Sequence, residues 1–153
     1  MSTKIIPFIL QIVILVLALI CTIINSVHYE FPRVLLPFLY QLEAVAITFI
    51  FLVYSIASLI DIGENYPLML VLVSLFHGIL FLAVSISMLM TFSADTIMGF
   101  ESDIWGPEKS LFLVSGGFGI ATSIVLIVAA IYFLIEFSSK GFARTAGTLP
   151  RKK

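Results

Sequence analysis

Apolar residues gather along this chain in four long blocks separated by short polar stretches. The first, residues 5–24, carries no charge. The second, 35–60, carries one, Glu43, and the third, 67–92, has His77 as its only titratable side chain. The fourth spans 111–137 and ends beside Glu136 and Lys140. A helix rises 1.5 Å per residue, so about 20 residues cross the ~30 Å hydrocarbon layer of a bilayer. Each block meets that length with room for tilt. Barrel strands alternate polar and apolar positions over about ten residues, a pattern these blocks lack. The expected fold is therefore an all-α membrane protein, a four-helix transmembrane bundle.

Punctuation between the blocks agrees. Pro7 falls in the first turn of block one, where a missing N–H costs little. Pro32 and Pro37 mark the entry to block two, and Asp61, Gly63 and Asn65 its exit. The first apolar stretch is longer than a signal-peptide core and lacks a small-x-small cleavage site, which predicts a retained helix. Residues 61–66 leave only a tight turn, so helices two and three are expected to be antiparallel neighbours. The longest connection is 93–110. The reading divides the chain into a transmembrane domain over 1–138 and a basic tail, expected to be disordered, over 139–153.

Composition removes a water-soluble alternative. Hydrophobic residues make up 61% and charged residues 11% of 153 positions, against about 45–50% and about 25% in soluble domains. The net charge of −1 hides an uneven distribution. Lys4 precedes the first helix, and Lys140, Arg144, Arg151, Lys152 and Lys153 follow the last, whereas 25–34 holds only Arg33 and 93–110 only Lys109. Excess Lys and Arg near helix ends marks the cytoplasmic side, so both termini are expected there. No basic surface suggests nucleic acid. The tail cations would each gain about 1 kcal/mol near anionic lipid, and a plain topology signal explains them equally. Thr145 and Thr148 are candidate phosphosites whose modification would weaken lipid attraction. Cys21, the lone cysteine, has no partner for an internal disulfide.

Glu43 and His77 are the unusual residues. Glu43 lies about eight positions into helix two, roughly 12 Å from its outer end. His77 lies about ten positions into an oppositely directed helix, roughly 15 Å from the inner end. In a ~30 Å layer their depths differ by a few Å, so a Glu43–His77 pair would satisfy both groups. Tyr40, Gln41 and Thr48 are alternative partners for Glu43. The pair reads first as structural. A proton-linked switch or conduction site is the functional alternative, since ionisable groups inside a membrane are functional candidates.

Small residues form further patterns. Ser115, Gly119 and Ser123 share a face of helix four; Ser74 with Gly78, and Ala83 with Ser87, have the same spacing on helix three. Such faces allow close backbone approach in lipid, within the bundle or between copies of the chain. In the long outer loop, Phe100 and Trp105 fit either an interfacial anchor or a recognition surface for a partner. Enzyme chemistry has little footing: no Cys/His cluster fits zinc, and Glu101, Asp103 and Glu108 lack the spacing and glycine turn of a calcium loop. No cofactor is expected.

The layout resembles the MARVEL family, which includes the myelin-and-lymphocyte and chemokine-like-factor proteins. The resemblance covers residues 4–138 and is carried by size, a short first outer loop, a very short inner turn, the apolar run Ile6–Cys21, and the small-residue helix ending Ala129-Ala-Ile-Tyr-Phe-Leu134. A cysteine pair found in the second outer loop of some members is missing here. The resemblance implies a non-enzymatic organiser of vesicle or plasma membranes, acting in trafficking, apposition or junctions. Its partners would be membrane lipids, including cholesterol and anionic lipids, and other membrane proteins, with homo-oligomers as a further option. A small transporter, channel or accessory subunit using Glu43 and His77 is the alternative function, and a lipid-directed enzyme ranks third.

Overall fold

The computed structural model describes residues 5–26, 35–59, 67–97 and 108–147, with side chains over 5–26, 36–59, 68–93 and 110–139. These residues form four α-helices: α1 Ile5–Ser26, α2 Leu35–Leu59, α3 Pro67–Ile97 and α4 Glu108–Gly147. All four are long and apolar enough to cross a membrane, and no strand occurs among the described residues. Pro67 opens α3, the position at which its fixed φ favours a helix start and its missing N–H has no intrahelical role.

Several helices outrun their apolar blocks. α1 reaches Ser26 rather than Ile24, because its polar end is satisfied locally: the Ser26 hydroxyl donates to the Thr22 carbonyl at 2.7 Å, and Asn25 Nδ2 donates to the Pro37 carbonyl at 3.2 Å. α3 continues to Ile97, past the expected end at Phe92, and α4 begins at Glu108 rather than Leu111. α4 also runs to Gly147, so residues 140–147 are helical where a disordered tail was expected. Adding a residue to an existing helix avoids the nucleation cost. Gly141 is a penalty of only about 1 kcal/mol, and the next proline is Pro150. Residues 148–153 lie outside the described part.

The helices form a ring in which α1 meets α2 and α4, and α3 meets α2 and α4. Residue pairings show that sequential neighbours run antiparallel. Gln11 meets Ser58 while Asn25 meets Pro37; Tyr40 meets Phe81 while Glu43 meets His77; Gly78 approaches Leu126 while Phe92 stacks on Phe112. The seams are uneven. α3 and α4, joined by the longest connection, share the most extensive contact; α2 and α3, joined by the shortest, share the least. A short turn fixes proximity at one end only, whereas missing side chains set proximity along the whole length. A Cβ on Gly78 would sit 3.0 Å from Ile127 Cγ1, and one on Gly116 2.8 Å from Leu89 Cγ. The α3 and α4 backbones have closed to that limit.

The core runs through the ring and includes Ile14, Ala18, Cys21, Tyr40, Ala44, Ile47, Phe51, Phe81, Met88, Leu126, Ala129 and Phe133, all essentially buried. Outward faces are just as apolar: Phe49 and Met90 are each 67% exposed, and large aliphatic or aromatic side chains point outward on every helix. Six hydroxyls on these helices are turned back on their own backbone. Thr22, Thr48, Ser87, Thr91, Thr122 and Ser123 each donate to the carbonyl four residues earlier, at 2.7–2.9 Å. That arrangement conceals a polar group from a solvent that cannot hydrogen-bond.

Candidate functional site

Glu43 sits on the inward side of α2, two residues before the exposed Val45 and one turn before the buried Ile47. His77 sits on α3 beside the exposed Phe76, whose ring meets the imidazole edge-on at 5.3 Å. The structure joins them: Glu43 Oε1 and His77 Nδ1 are 2.5 Å apart. The side chains are 10% and 14% exposed, so the pair lies at the margin of the α2–α3 seam rather than on the bundle axis. Two descriptions fit this contact, a carboxylate accepting from an imidazolium and a carboxylic acid donating to a neutral ring. Both hold one proton between the groups and give zero net charge.

The alternative partners for Glu43 are committed elsewhere. The Tyr40 hydroxyl crosses the bundle and donates to the Ser115 carbonyl of α4 at 2.5 Å, while its ring packs against Phe81 at 4.8 Å. Gln41 Nε2 donates to Ser26 Oγ at 2.8 Å and to the Thr22 carbonyl at 3.4 Å. Thr48 donates to the Ala44 carbonyl and lies 3.4 Å from the Thr22 hydroxyl. Polar contacts thus tie α1 to α2 repeatedly, reinforced by Ser58 donating to Gln11 Oε1 at 3.2 Å. Cys21 lies 3.5 Å from Thr122 Oγ1 on α4. The Thr122 proton goes to the Phe118 carbonyl, which leaves the thiol as donor.

Along the axis, polar groups concentrate toward the α2 N-terminal half, with Tyr40, Ser85, Ser115 and Thr122 buried there. Beyond the pair the core changes character. Ile47 and then Phe51 follow at one-turn spacing on α2, and Ile14, Leu126 and Phe133 fill in from α1 and α4. Ser74 lies one turn along α3 from His77, fully buried, and its hydroxyl has no hydrogen-bond partner among the described atoms, as is also true of Ser55 and Ser85. No set of three or more His, Cys, Asp or Glu side chains able to hold a metal occurs among the described residues.

Of the small residues singled out, Ser115, Gly119 and Ser123 are all buried within the bundle, as are Ser74 and Gly78. Gly119 is the tightest: a Cβ there would run into Ser85 Oγ and lie 2.7 Å from Tyr40 Cε2. Ala83 and Ser87 face outward instead, and a Cβ on Gly117 would meet nothing within 4 Å. Phe100, Trp105, Arg151, Lys152 and Lys153 lie outside the described residues. Lys140 and Arg144 have described helical backbone, and their side chains lie outside the description. Gln11, Asn25 and Ser85 were not singled out by the sequence; an amide or hydroxyl within an apolar run needs a partner, and that need was the available signal.

Compared with known proteins, the chain matches no family model, no curated protein and no solved structure.

Proposed function

We propose that this chain is a non-enzymatic, four-span organiser of vesicle or plasma membranes. It acts in trafficking, membrane apposition or junction organisation by packing laterally against lipids and other membrane proteins. The observation that carries this reading is the distribution of side chains: outward faces of large apolar residues on every helix, around a core closed by Ile14, Ile47, Phe51, Leu126 and Phe133. Working surface is thereby available sideways, in the plane of the bilayer. The bias of Lys4 and the five tail cations supports cytosolic termini. The MARVEL-like layout supports the same class of function.

The transporter or channel reading takes its support from the Glu43–His77 contact. The apolar residues packed inward of that contact argue against it, since a charge crossing hydrocarbon without a wet path is costly. Two measurements separate the readings. Purified protein in liposomes is expected to pass no ion or proton flux above protein-free vesicles, and photo-crosslinkers at Phe49 or Met90 in native membranes are expected to capture discrete membrane-protein partners. Flux that disappears in Glu43→Gln would replace the organiser with the transporter.

A further inference from the structure

We propose that the Glu43–His77 pair is the contact point for a second copy of this chain, which docks on the α2–α3 seam about a twofold axis along the membrane normal. The pair holds itself together through His77 Nδ1 and Glu43 Oε1. Its other two polar atoms, His77 Nε2 and Glu43 Oε2, have no hydrogen-bond partner among the described atoms. Neither is sealed inside the bundle in the way that Ser74 Oγ and Gln41 Oε1 are, and both side chains remain partly exposed. The seam they open onto is the least extensive of the four. Leu39 and Leu42 on α2, and Phe76 and Leu80 on α3, are exposed around it.

The outward pattern is the same in both descriptions of the contact. An imidazolium bonded to a carboxylate, and a neutral ring bonded to a carboxylic acid, each leave a hydrogen on Nε2 and an acceptor at Oε2. One donor and one acceptor thus reach the same margin. Glu43 lies eight residues past Leu35, roughly 12 Å along α2, which puts that margin in hydrocarbon rather than among lipid head groups. Hydrocarbon offers neither group a partner, and an unmatched polar atom there is costly. A second copy does offer one. A twofold axis along the membrane normal keeps both chains in the same orientation and at the same depth, and brings α3 of each opposite α2 of the other. Each His77 Nε2–H then donates to Glu43 Oε2 of the other copy, and every one of these atoms is matched. The exposed leucines on the two banks meet in the same way, Leu39 of one copy against Leu80 of the other, since their neighbours Tyr40 and Phe81 lie at one level. Such a dimer deepens the organiser reading, on which it rests, by giving its lateral surface one defined partner.

The test uses the full chain in lipid bilayers. Energy transfer between donor-labelled and acceptor-labelled chains is measured as the protein is diluted with lipid, and is expected to fall as a monomer–dimer equilibrium. In Glu43→Leu/His77→Leu, which removes the outward donor and acceptor, the dissociation constant is expected to rise about tenfold, the loss of two hydrogen bonds of ordinary strength between membrane helices. A second measurement leaves the pair intact and decides the case if that variant does not fold. In a Cys21→Ser background, Leu39→Cys chains and Leu80→Cys chains carrying different tags are expected to be joined by a short bifunctional thiol reagent. Ile124→Cys chains, altered at an exposed position on α4, are expected to stay unjoined. Chains that remain monomeric at every dilution overturn the dimer and leave the margin to water or to a different partner. A dissociation constant unchanged in the double leucine variant overturns it too, as does linkage through Ile124 without linkage between Leu39 and Leu80. None of these results bears on the flux measurement or on capture of other proteins from Phe49 or Met90, so failure of the dimer is distinguishable from failure of the organiser.

Discussion

Replacing Gly119 by alanine isolates the packing that makes α3 and α4 the closest pair. The added Cβ would collide with Ser85 Oγ, and would sit 2.7 Å from Tyr40 Cε2 and 3.1 Å from Ser85 Cβ. Comfortable carbon–carbon separation is about 3.5–4.0 Å, so the Tyr40 edge must retreat by roughly 0.8 Å or more. Ser85 can rotate its hydroxyl away. Tyr40 cannot move so freely, because Phe81 backs its ring and the Ser115 carbonyl holds its hydroxyl. Overpacking of this kind costs about 1–3 kcal/mol. Alanine recovers up to about 1 kcal/mol in helix propensity, and disturbing the Tyr40 bond loses about 0.5–1.5 kcal/mol. With the full propensity gain, the net expectation is a loss of about 0.5–3.5 kcal/mol. Gly117→Ala, two residues away, has the same propensity gain and no contact within 4 Å, so it should be neutral or slightly stabilising. Reversible unfolding in mixed micelles, followed by circular dichroism, reads both variants. Equal stabilities for the two would refute the claimed α3–α4 contact.

Glu43→Leu and His77→Leu each leave a polar group unmatched and are expected to lose about 1–3 kcal/mol. The double leucine variant should lie closer to wild type than the sum of the two, and additivity in that double-mutant cycle would deny the contact. Tyr40→Phe should cost only about 0.5–1.5 kcal/mol in the same unfolding assay, since the ring and its packing on Phe81 survive; a loss above about 2 kcal/mol, beyond one ordinary hydrogen bond, would assign the hydroxyl a larger role. Gln11→Leu removes the tie to Ser58 and should cost about 0.6 kcal/mol, the average for hydrogen bonds between membrane helices. A loss several times larger would mean that Gln11 does more than join α1 to α2.

The pairing of Glu43 with His77 could be read from the sequence because helix geometry converts position into depth, and each of the two helices offered few polar choices. Four spans were legible for the same reason, length and hydropathy being local properties. Seam strength was not. The turn at 61–66 pointed to α2 and α3, but the extent of contact depends on which residues lack side chains along the interface, and Gly78, Gly116 and Gly119 lie on α3 and α4. Nor was the direction of each small face evident. Ser115 and Ser123 turn inward while Ala83 and Ser87 turn outward, a choice made by the whole ring and invisible to spacing. The helical stretch 140–147 escaped notice because polarity suggested an end to the span, while nothing in its covalent structure ended the helix.

The place of α4 in the ring bears on how the protein is made. Of the four described helices it is the last to be synthesised, yet it packs against both α1 and α3. Until it leaves the insertion machinery, the cleft around Gly78, the Ser85 hydroxyl and the inner face of Cys21 stand open to lipid or to whatever chaperone guards the nascent chain. Products truncated before Glu108 would keep those faces uncovered, giving membrane quality control a ready mark by which to tell an unfinished bundle from a finished one.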